Sequence, residues 1–459
     1  MQQNQQSDAT IPVVFALRWL TSLTEGNKVG ALIRTGQQFR EIEMRSQLLL
    51  RVVLMLTLAS ACFGANPSST GSPSHPGNQT YVVTNDDASM TFDENTISYF
   101  LAGGSPPAPS LTYQNSVPIG GVGGGGGNFG ASSIVSLPDS NAQCLYISNA
   151  GSGSIASVNI QSQELAGTFT GSPTDAGTSN GIGLAVNRNY LYASFTDSNT
   201  IGTFQILPGC QLSFVNDTNV AGLNGGAIYA IAANANILIV TFGDGSMQSF
   251  NVSGGVPISN NDEQNSTGYI ADYNNLPAGI DITQDGRYAI FGDGAIYTTV
   301  EVSDLSSGKL GATRFYQLGA SATAVSPVSV LPGVGSSNVR LSPDESLLFI
   351  SNNQSGNITA GFFNPANGTI TPGCTSRRLS GFYNPWFYLG SMVTENTSGN
   401  GGVLYVAEFA NRQASSIGIL NINVTGSTCS FAESTNSPVT DPVSGAALIS
   451  LWAYPPRPF

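Results

Sequence analysis

The chain has 459 residues, only 9% of them charged, with 15 Lys+Arg against 28 Asp+Glu and a net charge of −13. An ordinary soluble protein carries about 25% charged residues, so there is too little charge here to coat the polar faces of many helices, which argues against a mainly helical fold. The negative balance also argues against nucleic acid as a partner; with 54 Gly and 24 Pro, the composition is that of a polar, turn-rich β protein working outside the cytoplasm.

Six of the 15 basic residues fall within the first 51 positions. Met44-Arg45 opens a short basic region, the apolar run Leu48 to Leu58 follows, and Ala59-Ser60-Ala61-Cys62-Phe63-Gly64-Ala65 supplies small residues. That is the layout of a secretory signal, and the run is shorter than the roughly 20 residues of a membrane span. Residues 1–43 then read as an upstream extension before a start at Met44, 44–65 as the signal, 66–79 as a flexible tether rich in Pro, Ser and Gly, and 80–459 as the folded domain. Ala59-Ser60-Ala61-Cys62 also resembles a lipoprotein processing site, with Ala59 where Leu is usual. Of the 5 Cys, Cys62 belongs to the signal. The remaining four suit an oxidising compartment. Asn-X-Ser/Thr sequons such as Asn78, Asn251, Asn357 and Asn423 are no more frequent than the Asn, Ser and Thr content gives by chance.

From Thr80 onward a short β-branched and aromatic strand ending in an Asn, Asp or Gly turn recurs. Copies begin at Tyr81, Leu145, Leu191, Leu238, Ala289, Leu347 and Leu404. An apolar strand and a tight turn precede it, as in Ile280 to Gly286 and Val339 to Glu345. A third, alternating strand follows, as in Ile155 to Ile160 and Ile417 to Ile422, and then a more polar fourth. Four antiparallel strands per repeat of about 55 residues make one propeller blade. The fold class is therefore all-β, a seven-bladed β-propeller, with the innermost strand expected to be the most apolar. The first repeat lacks a strand before Tyr81, and Ala446 to Trp452 is an apolar strand left over at the end. Adding that C-terminal strand to the N-terminal blade closes the ring and removes two exposed edges.

Ser342-Pro343-Asp344-Glu345-Ser346-Leu347-Leu348-Phe349-Ile350-Ser351-Asn352 resembles the turn and strand of the seven-bladed lactonase-type propellers, and Tyr81-Val82-Val83-Thr84-Asn85 is similar to the YVTN element of the same group. The family includes 6-phosphogluconolactonase-like and carboxymuconate-cyclase-like proteins, and the resemblance spans Thr80 to Tyr454. It implies His, Arg and Glu around the central opening. Here Ser336-Ser337-Asn338 and Pro277-Ala278-Gly279 stand where a His-bearing element would precede an inner strand, and the single His of the chain, His75, lies in the tether. An imidazole titrating near neutral pH is therefore missing from the expected place.

The candidate residues follow from propeller geometry. Arg340 and Asp281 sit on inner strands, Arg340 as a donor to a carboxylate, phosphate or oxyanion, and Asp281 or Glu408 as a base. Asn338, Arg412, Trp386 and Tyr383 are candidate ligand contacts, the last two from the aromatic loop Gly381 to Tyr388. One face should gather Asp86, Asp87, Asp197, Asp244, Asp293, Asn352, Asn353, Glu408 and Arg412; without an Asp-x-Asp-x-Asp spacing they read as turn caps, not as a metal site. The glycine run 120–127 lacks the Lys-Ser/Thr of a phosphate loop and reads as a flexible insertion. No cofactor is expected. Blade topology suggests the disulfides Cys144–Cys210 and Cys374–Cys429, with Cys144 beginning a second strand and Cys210, Cys374 and Cys429 preceding fourth strands. An ordinary carboxylate titrates near 4 and is a weak base at neutral pH. The reading is therefore an exported or cell-envelope, lactonase-like propeller, monomeric, that binds a small molecule, glycan or envelope partner without catalysis. The alternative is a lactone hydrolase or cyclase, and the second alternative a carbohydrate-binding propeller.

Overall fold

The computed structural model describes residues 80–87, 94–124, 133–137, 143–170, 181–266, 279–292, 299–318, 336–352, 355–382, 387–410, 415–443, 446–448 and 450–454. The proposed extension, signal and tether, together with His75, lie outside them. Seven antiparallel sheets form seven blades, each a meander from the inside out. Blade 1 takes its innermost strand, Ser450–Tyr454, from the C-terminus and its second, Tyr81–Asn85, from the start of the domain. These two pair antiparallel from Tyr81 opposite Tyr454 to Asn85 opposite Ser450. The closing strand thus lies later than the apolar run Ala446 to Trp452 suggests: Ala446 and Leu448 pack instead in the core between blades 7 and 1.

All seven repeat copies are second strands: Tyr81–Asn85, Cys144–Asn149, Tyr190–Phe195, Ile237–Phe242, Tyr288–Gly292, Leu347–Asn352 and Gly401–Ala410. These are the most consistently buried, as in Ile237–Phe242 and Leu347–Asn352, where every residue is buried; among the innermost strands Ile182–Val186 matches them. A second strand has a hydrogen-bonded neighbour on each side and a neighbouring blade against each face, whereas the inner strand borders the channel.

Side chains alternate across a strand, so each blade sends its odd and even residues to opposite neighbours. Leu347 and Phe349 pack towards blade 7, whereas Leu348 and Ile350 pack towards blade 5. Among the described residues seven apolar clusters result, one between each pair of adjacent blades. Burying a large apolar side chain contributes about 1.5–3 kcal/mol, and these seven seams hold the ring. The closing strand serves two of them, with Leu451 and Ala453 facing blade 7 and Trp452 facing blade 2. Trp452 Nε1 donates to Ser136 Oγ at 2.9 Å.

Cys144–Cys210 joins blades 2 and 3, and Cys374–Cys429 joins blades 6 and 7. Cys144 opens a second strand and Cys210 ends a short 3-10 turn before a fourth strand. Cys374 and Cys429, expected before fourth strands, lie within them, in Thr369–Thr375 and Thr428–Glu433. The turn at Asn367-Gly368 starts the blade 6 strand early enough to include Cys374. The first part of the glycine run is also no free insertion. Gly121 O accepts from Asn95 N at 2.6 Å and Gly124 N donates to Asp87 Oδ1 at 2.7 Å. A Cβ on Gly121 would fall 2.2 Å from Asn149 Nδ2, so only glycine fits there.

Candidate functional site

In a four-stranded meander the turns between strands 1 and 2 and between 3 and 4 share one face. The turns between strands 2 and 3, and the blade-to-blade connections, share the other. On the first face the Asp-containing turns are capped and interlocked. Asp344 accepts from the Ser342 and Ser346 hydroxyls, each at 2.7 Å, and from Gly399 N of blade 7 at 2.8 Å. Glu345 stands in the left-handed region (φ 57°), and its Oε1 accepts from Gln284 N of blade 5 at 2.6 Å. Burial pushes Asp344 up, but the hydrogen bonds from Ser346, Ser342 and Gly399 outweigh it and hold its carboxyl below the ordinary value. The same balance lowers Asp285, through Arg287 and Thr283, and the Ser306 hydroxyl and amide lower Asp304.

The opposite face carries the sequence candidates. Asp244 Oδ2 accepts from the Asn224 and Gly226 amides, and Oδ1 from Ser246 N and Oγ. Burial raises it, yet the Ser246 hydroxyl and these amides leave it lowered, as befits a turn cap. Asp86 and Glu408 differ: they are 0% and 1% exposed, sealed between blades. Asp293, Asn353, Arg412, Tyr383 and Trp386 lie outside the described residues.

Asn338 and Arg340 lie on the innermost strand of blade 6, Ser336–Leu341. Asn338 is buried, and its backbone N–H donates to Ser351 Oγ at 3.1 Å. Val339 and Leu341 pack towards blade 5. Alternation therefore turns Arg340, which is half-buried, towards the side of its cross-strand partner Phe349, which packs against blade 7. From blade 7, Leu389, Leu404 and Val406 line that same seam, and Glu408 continues the row, opposite Leu389. Arg340 and Glu408 thus lie on strands that face one another across the blade 6–7 seam, with the Glu408 carboxyl against Gly381 and Gly418. Asp281 belongs to the next seam. Its Oδ1 accepts from Ile282 N at 2.9 Å and its Oδ2 from Leu341 N at 2.7 Å, which staples the inner strands of blades 5 and 6.

Glu408 Oε2 accepts from Ser416 Oγ at 2.6 Å; Oε1 has no hydrogen-bond partner among the described residues. The carboxyl is packed so closely that a Cβ on Gly381 would fall 1.9 Å from Oε2. Burial pushes Glu408 up to about 7, against the Ser416 hydrogen bond and aided by the charge of Glu433. Glu433 itself anchors the blade 6–7 connection, accepting from Ser380 Oγ at 2.7 Å and from Ser437 Oγ at 2.8 Å. Arg378 closes that connection over Phe382, its guanidinium 4.9 Å from the ring and Nη2 donating to Phe382 O at 2.8 Å. Sequence reasoning missed Ser416 and Glu433. Ser416 was findable as the cross-strand partner of Glu408 once the hairpin was drawn; Glu433 reaches the site through an outer strand and left no such signal.

No family model and no curated protein sequence matches the chain. Solved structures share the fold. A Bacteroides uniformis protein provisionally described as a 6-phosphogluconolactonase matches at TM-score 0.55 and 12% identity, over 82% of this chain and 100% of its own. A Bacteroides fragilis counterpart with the same provisional description matches at TM-score 0.55 and 14% identity, over 84% and 99%. The periplasmic gluconolactonase of Pseudomonas aeruginosa matches at TM-score 0.53 and 12% identity, over 79% and 98%. The chain therefore has the fold of the seven-bladed lactonase-type propellers, as its repeat suggests.

Proposed function

We propose that this chain is an exported propeller that opens a small lactone to its hydroxy acid, with Arg340 holding the developing oxyanion and Glu408 taking a proton from the attacking water. The observation that carries the reading is the Glu408 carboxyl, lifted to about 7 by burial. Lactone chemistry near neutral pH looks closed to this sequence because it lacks a suitably placed His and ordinary carboxylates are weak bases. A carboxyl titrating near 7 supplies the missing property, since a base works best when its pKa lies near the operating pH. In the step, water adds to the ring carbonyl and its proton passes to Glu408. The ring C–O bond breaks, and the leaving alkoxide takes that proton back. The guanidinium offers fixed donors to the oxyanion. Asp281 is left out because its carboxylate already accepts two backbone amides. The names of the structural neighbours support the substrate class, and the two disulfides support export.

A binding propeller without catalysis is the second reading, favoured by the 1% exposure of Glu408. Hydrolysis of glucono-δ-lactone and 6-phosphogluconolactone, followed against the buffer rate, separates the two. Turnover that Arg340→Ala and Glu408→Gln both suppress supports the hydrolase. Rates equal to buffer on every lactone, with saturable binding of the same compounds, support the second reading.

A further inference from the structure

The seam between blades 7 and 1, where the two ends of the domain meet, holds a pair of buried acids. Asp86 follows the second strand of blade 1 and is 0% exposed; Asp441 precedes the closing strand and is 2% exposed. The two carboxyls are in hydrogen-bonding contact. Around them blade 1 contributes only hydroxyls: Thr84 donates to Asp86 Oδ1, and Thr96 and Ser98 to Asp86 Oδ2. Asp441 Oδ1 accepts from Val443 N at 2.8 Å, and Oδ2 has no hydrogen-bond partner among the described residues. Backbone bonds tie both residues into the closure: Ala447 N donates to Asp86 O at 2.6 Å and Asp441 N to Ser415 O at 2.9 Å.

Three hydroxyl donors can support one buried negative charge. They cannot support two in contact, and the described residues bring no Lys, Arg or His to the pair. Asp441 is the charged group whose field reaches Asp86; the neighbouring Asp87 carboxylate is turned to Gly124 N. Two touching carboxyls without a cation retain a proton between them.

We propose that Asp86 and Asp441 share one proton across the seam that closes the ring, and that loss of this proton at rising pH loosens the closure. Burial, and then the field of its partner, pushes Asp86 well up, while burial pushes Asp441 to about 6. The sign follows. In the unfolded chain both acids ionise near 4, whereas the folded pair keeps its proton longer. The stabilisation is therefore complete below the unfolded value and is lost as pH rises through the folded one.

Thermal unfolding of the full chain between pH 5 and 8 tests this, together with Asp441→Asn, whose amide supplies a permanent N–H towards Asp86 while its oxygen can still accept from Val443 N. The wild type is expected to lose several degrees of Tm across that range, and the variant to lose less and to be the more stable at pH 8. Infrared spectroscopy at neutral pH should show a protonated buried carboxyl in the wild type that weakens in Asp441→Asn. Parallel pH slopes, an unchanged carboxyl band, or a variant that fails to fold at pH 8 would overturn the proposal. So would a wild type destabilised at pH 8 by chelator while the variant is not, since the pair would then hold a cation and not a proton. The hydrolysis assay above tests a different seam, so the two readings fail independently.

Discussion

The two faces of the ring treat the same functional group in opposite ways. On the face of the strand 1–2 and 3–4 turns, Asp285, Asp304 and Asp344 are held below the ordinary value by hydroxyl and amide donors. On the other face Asp86, Asp441 and Glu408 are pushed up by burial. Asp244 shows that the face itself is not the cause: it shares the second face, remains partly exposed, accepts four hydrogen bonds, and is lowered. What separates the groups is whether an adjacent blade seals the carboxyl from water before enough donors have reached it. Lowered carboxylates cap turns; raised ones are pushed by burial towards the neutral form.

The contrast breaks most sharply at Arg340 and Glu408. If the raised carboxyl works as a base, Glu408→Gln and Arg340→Ala each lower kcat/KM on a hydrolysed lactone by about 100-fold or more. The wild-type rate should climb with pH through about 7, the value to which burial lifts Glu408. A pH–rate profile flat across that value would remove Glu408 from the chemistry.

The covalent staples are next in size. Replacing Cys374 and Cys429 together by Ser should cost about 2–4 kcal/mol, the range for a bridge closing a long loop, here 55 residues. Denaturant unfolding would show the loss against the oxidised wild type, and reductant should abolish the difference. An unchanged midpoint would mean that the blade 6–7 seam holds without its bridge.

Glu408 also sharpens the comparison through stability. Its folded value lies above that of the unfolded chain, so its contribution is present at acid pH and is lost as pH rises through about 7. Between pH 5 and 8 this amounts to about 2–3 kcal/mol, and Glu408→Gln should remove that part of the slope. Equal slopes in urea unfolding of the two proteins would contradict the assignment. The smallest effect belongs to the turn face, with the opposite sign. Asp344→Ala loses the bonds from Ser342, Ser346 and Gly399 and should cost about 1–2 kcal/mol at pH 7. The wild-type advantage should shrink as pH falls below 4, where Asp344 takes up its proton. A variant as stable as wild type at pH 7 would show that the interlocked turns add nothing to the ring.

The architecture was readable in the chain because it is repeated and local. Each second strand announces itself by β-branched and aromatic residues followed by an Asx or Gly turn, since pleated strands and tight turns select these residues directly. A missing first strand and a surplus last one told how the ring closes. Blade topology in turn paired Cys144 with Cys210 and Cys374 with Cys429. The site was readable only as residue types. Arg340 could be put on an inner strand, but that it borders the same seam as Glu408 depends on which blade each strand face meets. Asp441 carried no signal, although it touches Asp86 from the other end of the domain. Sequence determines strand, turn and order because those preferences reside in the residue and its neighbours. Solvation of a carboxyl is fixed by whatever packs over it, and in a ring that is another blade. Whether an acid here is held ionised at a turn or pushed towards its neutral form was therefore decided only when the blades came together.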